Sequence, residues 1–128
     1  MADKNYMADI TKLTRENDNF RRVLHTTELS QLVVMSVPAG EDIGEEVHDG
    51  IDQILTIVEG EGETVLEGKT SAVQAGSVIV VPAGMKHNVI TKGARALKLY
   101  TVYTPPDHKD GTIHRTKHDA ETDPNEQD

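Results

Sequence analysis

Between Phe20 and Thr104, short runs rich in Val, Ile and Leu are cut by a turn signal roughly every eight to twelve residues. A parallel sheet needs a helical crossover between its strands, and the intervals here leave no room for one. What remains is an antiparallel sandwich or barrel, an all-β fold. FRRVLHTTELSQLVVMSVPAG reads as two strands stopped by Pro38-Ala39-Gly40. EDIGEEVH follows, with a turn at Asp49-Gly50, a pair favoured in hairpin loops. DQILTIVE, residues 52–59, is a strand closed by Gly60-Glu61-Gly62. GETVLEG and KTSAVQ make a hairpin about Glu67-Gly68, SVIVVP is a strand ended by Pro82, and HNVITKG and ARALKLYTVYT supply the last two.

The flanks differ. Residues 1–19 are charged, with helical spacing at Ile10 and Leu13 alone, and read as a short helix or loose arm. Residues 105–128 are hydrophilic, and the final ETDPNEQD reads as disordered. The division is therefore an arm (1–19), a barrel (20–104) and a polar tail (105–128). With 36% hydrophobic residues in a chain of 128, the packable core is lean. A lean core favours bound metal or a second copy, so a homodimer is expected. The net charge of −9 repels phosphate backbones, and no basic stripe offsets it, which argues against nucleic acid. No apolar run approaches the length of a membrane span, and no signal-peptide pattern opens the sequence, so the cytoplasm is the default compartment. The absence of Cys excludes disulfides and thiolate chemistry.

Four residues with ligand atoms fall on or beside the strands: Glu46, His48, Gln53 and His87. Glu46 and His48 are two apart, so in an extended segment they share a face. Gln53 lies beyond the Asp49-Gly50 turn, and His87 follows the turn at Pro82-Ala83-Gly84. Two imidazoles and a carboxylate with open positions suit one divalent metal ion: Fe, Mn, Ni or Zn. Gln53 adds a neutral oxygen or orients a ligand.

The spacing Gly40, Glu46, His48, Gln53, Gly60, followed by Gly76, Pro82, Gly84, His87 and Thr91, resembles the two motifs of the cupin superfamily, without a gap. Glu46 stands where that family usually has its first His, Gln53 where it has Glu, and Thr91 where it has Asn. The resemblance covers roughly residues 30–104. It implies a double-stranded β-helix, the RmlC-like jelly-roll barrel, with the metal held by Glu46, His48, His87 and Gln53. More narrowly, GEEVHDGIDQILTIVEGEG and YTPPDHKDGTIHRTKHDAE are similar to small single-domain bacterial cupins often labelled relatives of mannose-6-phosphate isomerase. That label transfers no catalytic residue.

For catalysis the candidates are Tyr100, as a proton donor if its face of the last strand turns to the cavity, and Lys86, beside His87, as a contact to an anionic substrate. Against them stands the plain reading of a wet strand face and a surface charge. His25 reads as a packing residue, His114 and His118 as part of a solvated tail. The function expected is metal-dependent chemistry on a small organic molecule such as a sugar or keto/enol compound, of isomerase, dioxygenase or decarboxylase type. The alternative is a binding or sensory cupin without turnover.

Overall fold

The structure, a computed structural model, describes residues 5–126. A short helix, α1 (Ile10–Glu16), precedes eight strands: β1 (Arg21–Thr26), β2 (Gln31–Val37), β3 (Asp52–Glu59), β4 (Glu61–Leu66), β5 (Lys69–Gln74), β6 (Val78–Val81), β7 (His87–Lys92) and β8 (Leu97–Thr104). After them come β9 (Ile113–His114), α2 (Lys117–Thr122) and a 3₁₀ turn at Pro124–Glu126. The strands form a six-stranded sheet, β6-β3-β8-β2-β1-β9, and a three-stranded sheet, β5-β4-β7, with every pairing antiparallel.

Period-two alternation sets the core. Leu97, Leu99, Thr101 and Tyr103 of β8 are buried on one face, as are Gln53, Leu55 and Ile57 of β3. These meet Val33, Met35 and Val37 of β2, Ile79 and Val81 of β6, and Val73 and Val89 from the small sheet. In β2 the alternation gives way to near-continuous burial. This burial goes with α1, which lies across β2, β3 and β8, and with the segment after it, where the Ser36 amide donates to the carbonyls of Asn19 and Phe20 at 3.0 and 3.3 Å. Asp9 caps this helix by accepting from the Lys12 amide at 3.2 Å. Lys98 reaches over from β8 to the carbonyl of Arg15 and to Asp18. Residues 10–16 thus resolve into the helix of the two options offered by sequence. The part of the arm in residues 1–4 lies outside the described residues.

Two expectations need correction. The Asp49-Gly50 turn forms, but it joins no hairpin. The segment before it runs beside β7 instead: Glu46 pairs with His87, while β3 pairs with β6 and β8. The segment after Pro106 is not a solvated tail through residue 126. β9 extends the large sheet through Arg21–His114 and Arg22–Ile113, α2 is capped by Thr116, and Ala120 joins the core. Gln31, buried in β2, holds the start of this segment. Its Nε2 donates to the His108 carbonyl at 2.7 Å and its Oε1 accepts from the amides of His108 and Asp107 at 2.9 and 3.2 Å. Among the described residues no helix is long and apolar enough to cross a membrane.

Candidate metal centre

The segment carrying Glu46 and His48 lies antiparallel along β7 as an irregular extra strand. Ile43 donates to the Val89 carbonyl at 2.9 Å, Glu46 and His87 exchange both backbone bonds at 2.8 and 2.9 Å, and Gly84 donates to the His48 carbonyl at 2.9 Å. This ladder, not a hairpin with β3, puts the side chains of Glu46, His48 and His87 in one place. One ligand atom from each lies within 4.8 Å of the other two. The two imidazole centroids are 5.3 Å apart. From the opposite sheet, Gln53 brings its Oε1 to 3.1 Å from His87 Nε2 and donates from its own amide to Thr101 Oγ1 at 3.1 Å.

Burial and charge are tuned for a cation. Burial pushes the Glu46 carboxyl upward, but contact with His48, and then the charges of Arg21 and His87, outweigh it and hold Glu46 below its ordinary pKa. Contact with the Glu46 carboxylate in turn holds His48 above its own, against the opposing effect of burial. His48 Nε2 is 3.4 Å from Glu46 Oε1 in a geometry that makes no hydrogen bond, and Nε2 is buried without a partner. His87 Nδ1 faces the Met85 carbonyl at 2.9 Å. A carbonyl only accepts, so Nδ1 donates there, and Nε2, turned inward toward Gln53, is the ring nitrogen that can face a metal ion. A ring nitrogen facing the Gln53 carboxamide oxygen, and a buried one that makes no hydrogen bond, are both positions a metal ion satisfies. The donor set fits one: a carboxylate and two neutral imidazoles, charge −1 in total.

The other sequence candidates land elsewhere. Tyr100 pairs with Thr56 and Val34 on the outer face of the large sheet, so it does not face the cavity and is not placed to donate a proton there. Lys86 is exposed; its amide donates to Glu67 Oε2 at 2.7 Å, and it does not line the cavity at the site. His25 stacks on Tyr6 with centroids 5.0 Å apart. His118 is exposed. His114, expected in a solvated tail, is buried, with Nδ1 at 3.3 Å from Arg21 Nη1 and Nε2 at 2.8 Å from Asp123 Oδ2.

A cavity of about 430 Å³ opens beside Glu46 and His48. Its far wall comes from the segment after β8: Asp107, His108, Ala120 and Glu126. Asp107 Oδ2 is 3.6 Å from His48 Nδ1, placed to orient the ring from behind. Tyr103, fully buried, sets its ring edge-on to both His48 and His108, at 5.9 and 5.1 Å, and burial pushes its phenol well above the ordinary value. Of the two tyrosines on the last strand, Tyr103 is the one whose parity with Leu97, Leu99 and Thr101 puts it on the inner face. Arg21, Asp107 and His108 left no comparable signal, because their approach depends on the path of the last twenty or so residues.

Comparison with known proteins agrees with this geometry. A family profile described as a cupin domain matches residues 33–103, over half of the chain. The chain is 44% identical over 124 residues to the uncharacterized protein YrkC of Bacillus subtilis (strain 168), a match covering 91% of this chain and 66% of that one. It is 38% identical over 113 residues to the uncharacterized protein L612 of Acanthamoeba polyphaga mimivirus, covering 84% of this chain and 70% of that one. The chain thus spans about two thirds of the length of these curated relatives. The crystal structure of BH2720 from Bacillus halodurans superposes with a TM-score of 0.93 at 38% identity, covering 94% of this chain and 96% of that one.

Proposed function

The chain belongs to the cupin family, and on that footing we propose that it holds one divalent metal ion at Glu46, His48 and His87 and uses it to transform a small organic molecule bound in the adjoining cavity. The observation that carries this reading is the convergence of three ligand atoms within 4.8 Å, one of them a buried imidazole nitrogen with no other partner. A divalent ion there would polarise a carbonyl or enediol oxygen, as isomerisation and decarboxylation require, or would take part in dioxygenation with O2 as the co-substrate. Glu46 and the two imidazoles hold the ion, Gln53 and Asp107 fix the rings, and Tyr103 with the C-terminal segment limits water at the back of the site.

The test is metal analysis of the purified protein, then reconstitution with Mn, Fe(II), Ni or Zn and a panel of sugars, diketones and keto acids. His48→Gln removes a ligand while keeping a polar side chain, and metal affinity should fall by at least about 100-fold, measured by calorimetry. Equal affinity in the variant would sink the proposal. Ligand uptake by the metal-loaded protein without product after long incubation would convert it to the binding or sensory alternative. The compartment we propose for this chemistry is the cytoplasm.

A homodimer is also proposed. Its support is an apolar strip on the outer face of the large sheet, where Val78 and Val80 of β6 are 61% and 59% exposed beside Ile54 of β3 at 39%. A second copy covering this strip predicts that Val80→Glu shifts the light-scattering mass from two chains to one. A wild-type mass of one chain rejects it.

A further inference from the structure

Arg21 opens β1 with its side chain only 6% exposed, yet its charge is poorly met. Nη1 lies 3.3 Å from His114 Nδ1. Glu126 Oε1 is 4.0 Å away, beyond hydrogen-bonding distance, and Nε is buried with no partner. A guanidinium offers five donors in a rigid fork, and leaving one dry and unmet costs free energy that a ligand recovers. Arg21 lines the same cavity as Glu46 and His48. It is close enough for its charge to be felt at Glu46, His48, Tyr103, His108 and Glu126. His108 lines the same cavity beside it: its Nδ1 sits 2.6 Å from Glu126 Oε1, and its Nε2, which makes no hydrogen bond, stands 3.4 Å from Asp107 Oδ2.

We propose that Arg21 takes the carboxylate of a small anionic substrate, whose other end reaches the metal position at Glu46, His48 and His87. This rests on the metal reading above and narrows it. A planar carboxylate matches the guanidinium fork. A neutral sugar or diketone oxygen can accept a single bond from the fork but brings no charge to balance the guanidinium. A phosphate dianion is disfavoured, because the cavity wall already carries Glu46, Asp107, Glu121 and Glu126, and its lysine, Lys117, is tied to Asp42 at 2.5 Å. Phe20, Ile43 and Val47 supply apolar contact for a short carbon stem between the two charged ends.

The experiment is calorimetric titration of the Mn(II)-loaded full chain with malonate, succinate and glutarate, each against its mono-amide. Each pair differs only in whether the end away from the metal is charged. At the best-fitting length the dicarboxylate should bind at least about tenfold more tightly than the mono-amide. Arg21→Gln should erase that difference while tightening Mn(II), since a nearby positive charge has gone. The wild-type series needs no variant, so the inference stays testable if Arg21→Gln fails to fold. Mn(II) uptake with equal binding of acid and amide, or with no binding of either, overturns this inference and leaves the metal reading standing. No Mn(II) uptake by wild type overturns the metal reading and this inference with it.

Discussion

Gln53 is the residue in the centre whose chemistry a single atom decides. Its carboxamide oxygen stands 3.1 Å from His87 Nε2, and its NH₂ is engaged by Thr101. A carboxylate at this position would add a charged ligand facing the same ion, so Gln53→Glu should tighten binding of Mn(II) or Fe(II) by about tenfold. Without metal the same change buries a second carboxyl near Glu46, with desolvation and like charge both opposing ionisation. The metal-free variant should therefore lose on the order of 1–3 kcal/mol, and thermal unfolding with and without Mn(II) reads both effects at once. A variant with unchanged metal affinity would mean that Gln53 does not face the ion. At this scale much of the site was legible in the sequence: the two-residue step from Glu46 to His48 gives a shared face, and turn-flanking glycines fix where His87 falls. Tyr100 was a candidate only if its face turned to the cavity, and it does not: residues an odd number of positions apart in a strand face opposite ways, and the tyrosine on the inner face is Tyr103.

Among the elements, the eight strands between Arg21 and Thr104 were read to within a few residues, since each is short, β-branched and bounded by turn residues, while β9 was taken for tail. What strand pattern cannot give is partnership. The Asp49-Gly50 turn has hairpin chemistry, yet its preceding segment pairs across to β7, because Ile43 and Glu46 find open ladder positions there. On the other edge of β7, the backbone of β4 approaches closely at Gly62. A Cβ on Gly62 would lie 2.5 Å from the Ile90 carbonyl oxygen and 3.1 Å from Leu97 Cδ2. Leu97 can rotate, but the carbonyl belongs to β7, whose register with β4 runs from Glu61–Lys92 to Leu66–His87. Gly62→Ala must push the two strands apart, at a cost of about 1–3 kcal/mol, and the displaced His87 should weaken metal binding as well. Gly76→Ala is the control. A Cβ there meets nothing within 4 Å, although φ is +96°, so it tests backbone strain without a clash and should leave metal affinity alone. Equal loss of metal in both would mean that β4–β7 spacing does not position His87.

For the molecule as a whole, the last twenty or so residues decide whether the barrel end is open or closed, and their polar composition conceals that. They are held by polar contacts, Gln31 to the backbone at 107–108, Arg21 to His114, Lys117 to Asp42, which a hydrophobic pattern does not register. His108 reports on this closure. Burial, then the charges of Arg21, His114 and His48, push its pKa from 6.5 down to about 3, so the native ring stays neutral. Above pH 6.5 both folded and unfolded chains hold it neutral, and its contribution is constant. Below 6.5 the unfolded chain takes up a proton that the folded chain refuses until about pH 3, so stability falls through that window as pH drops. Between pH 7 and pH 5 one such group costs on the order of 2 kcal/mol. Urea unfolding of the metal-free protein should therefore show a steeper loss over this range in wild type than in His108→Gln. The contribution of His48, present in both proteins, largely cancels in the difference. Superimposable pH profiles would mean that His108 titrates freely, and a ring that titrates freely is in water, with the C-terminal segment lifted off the barrel mouth.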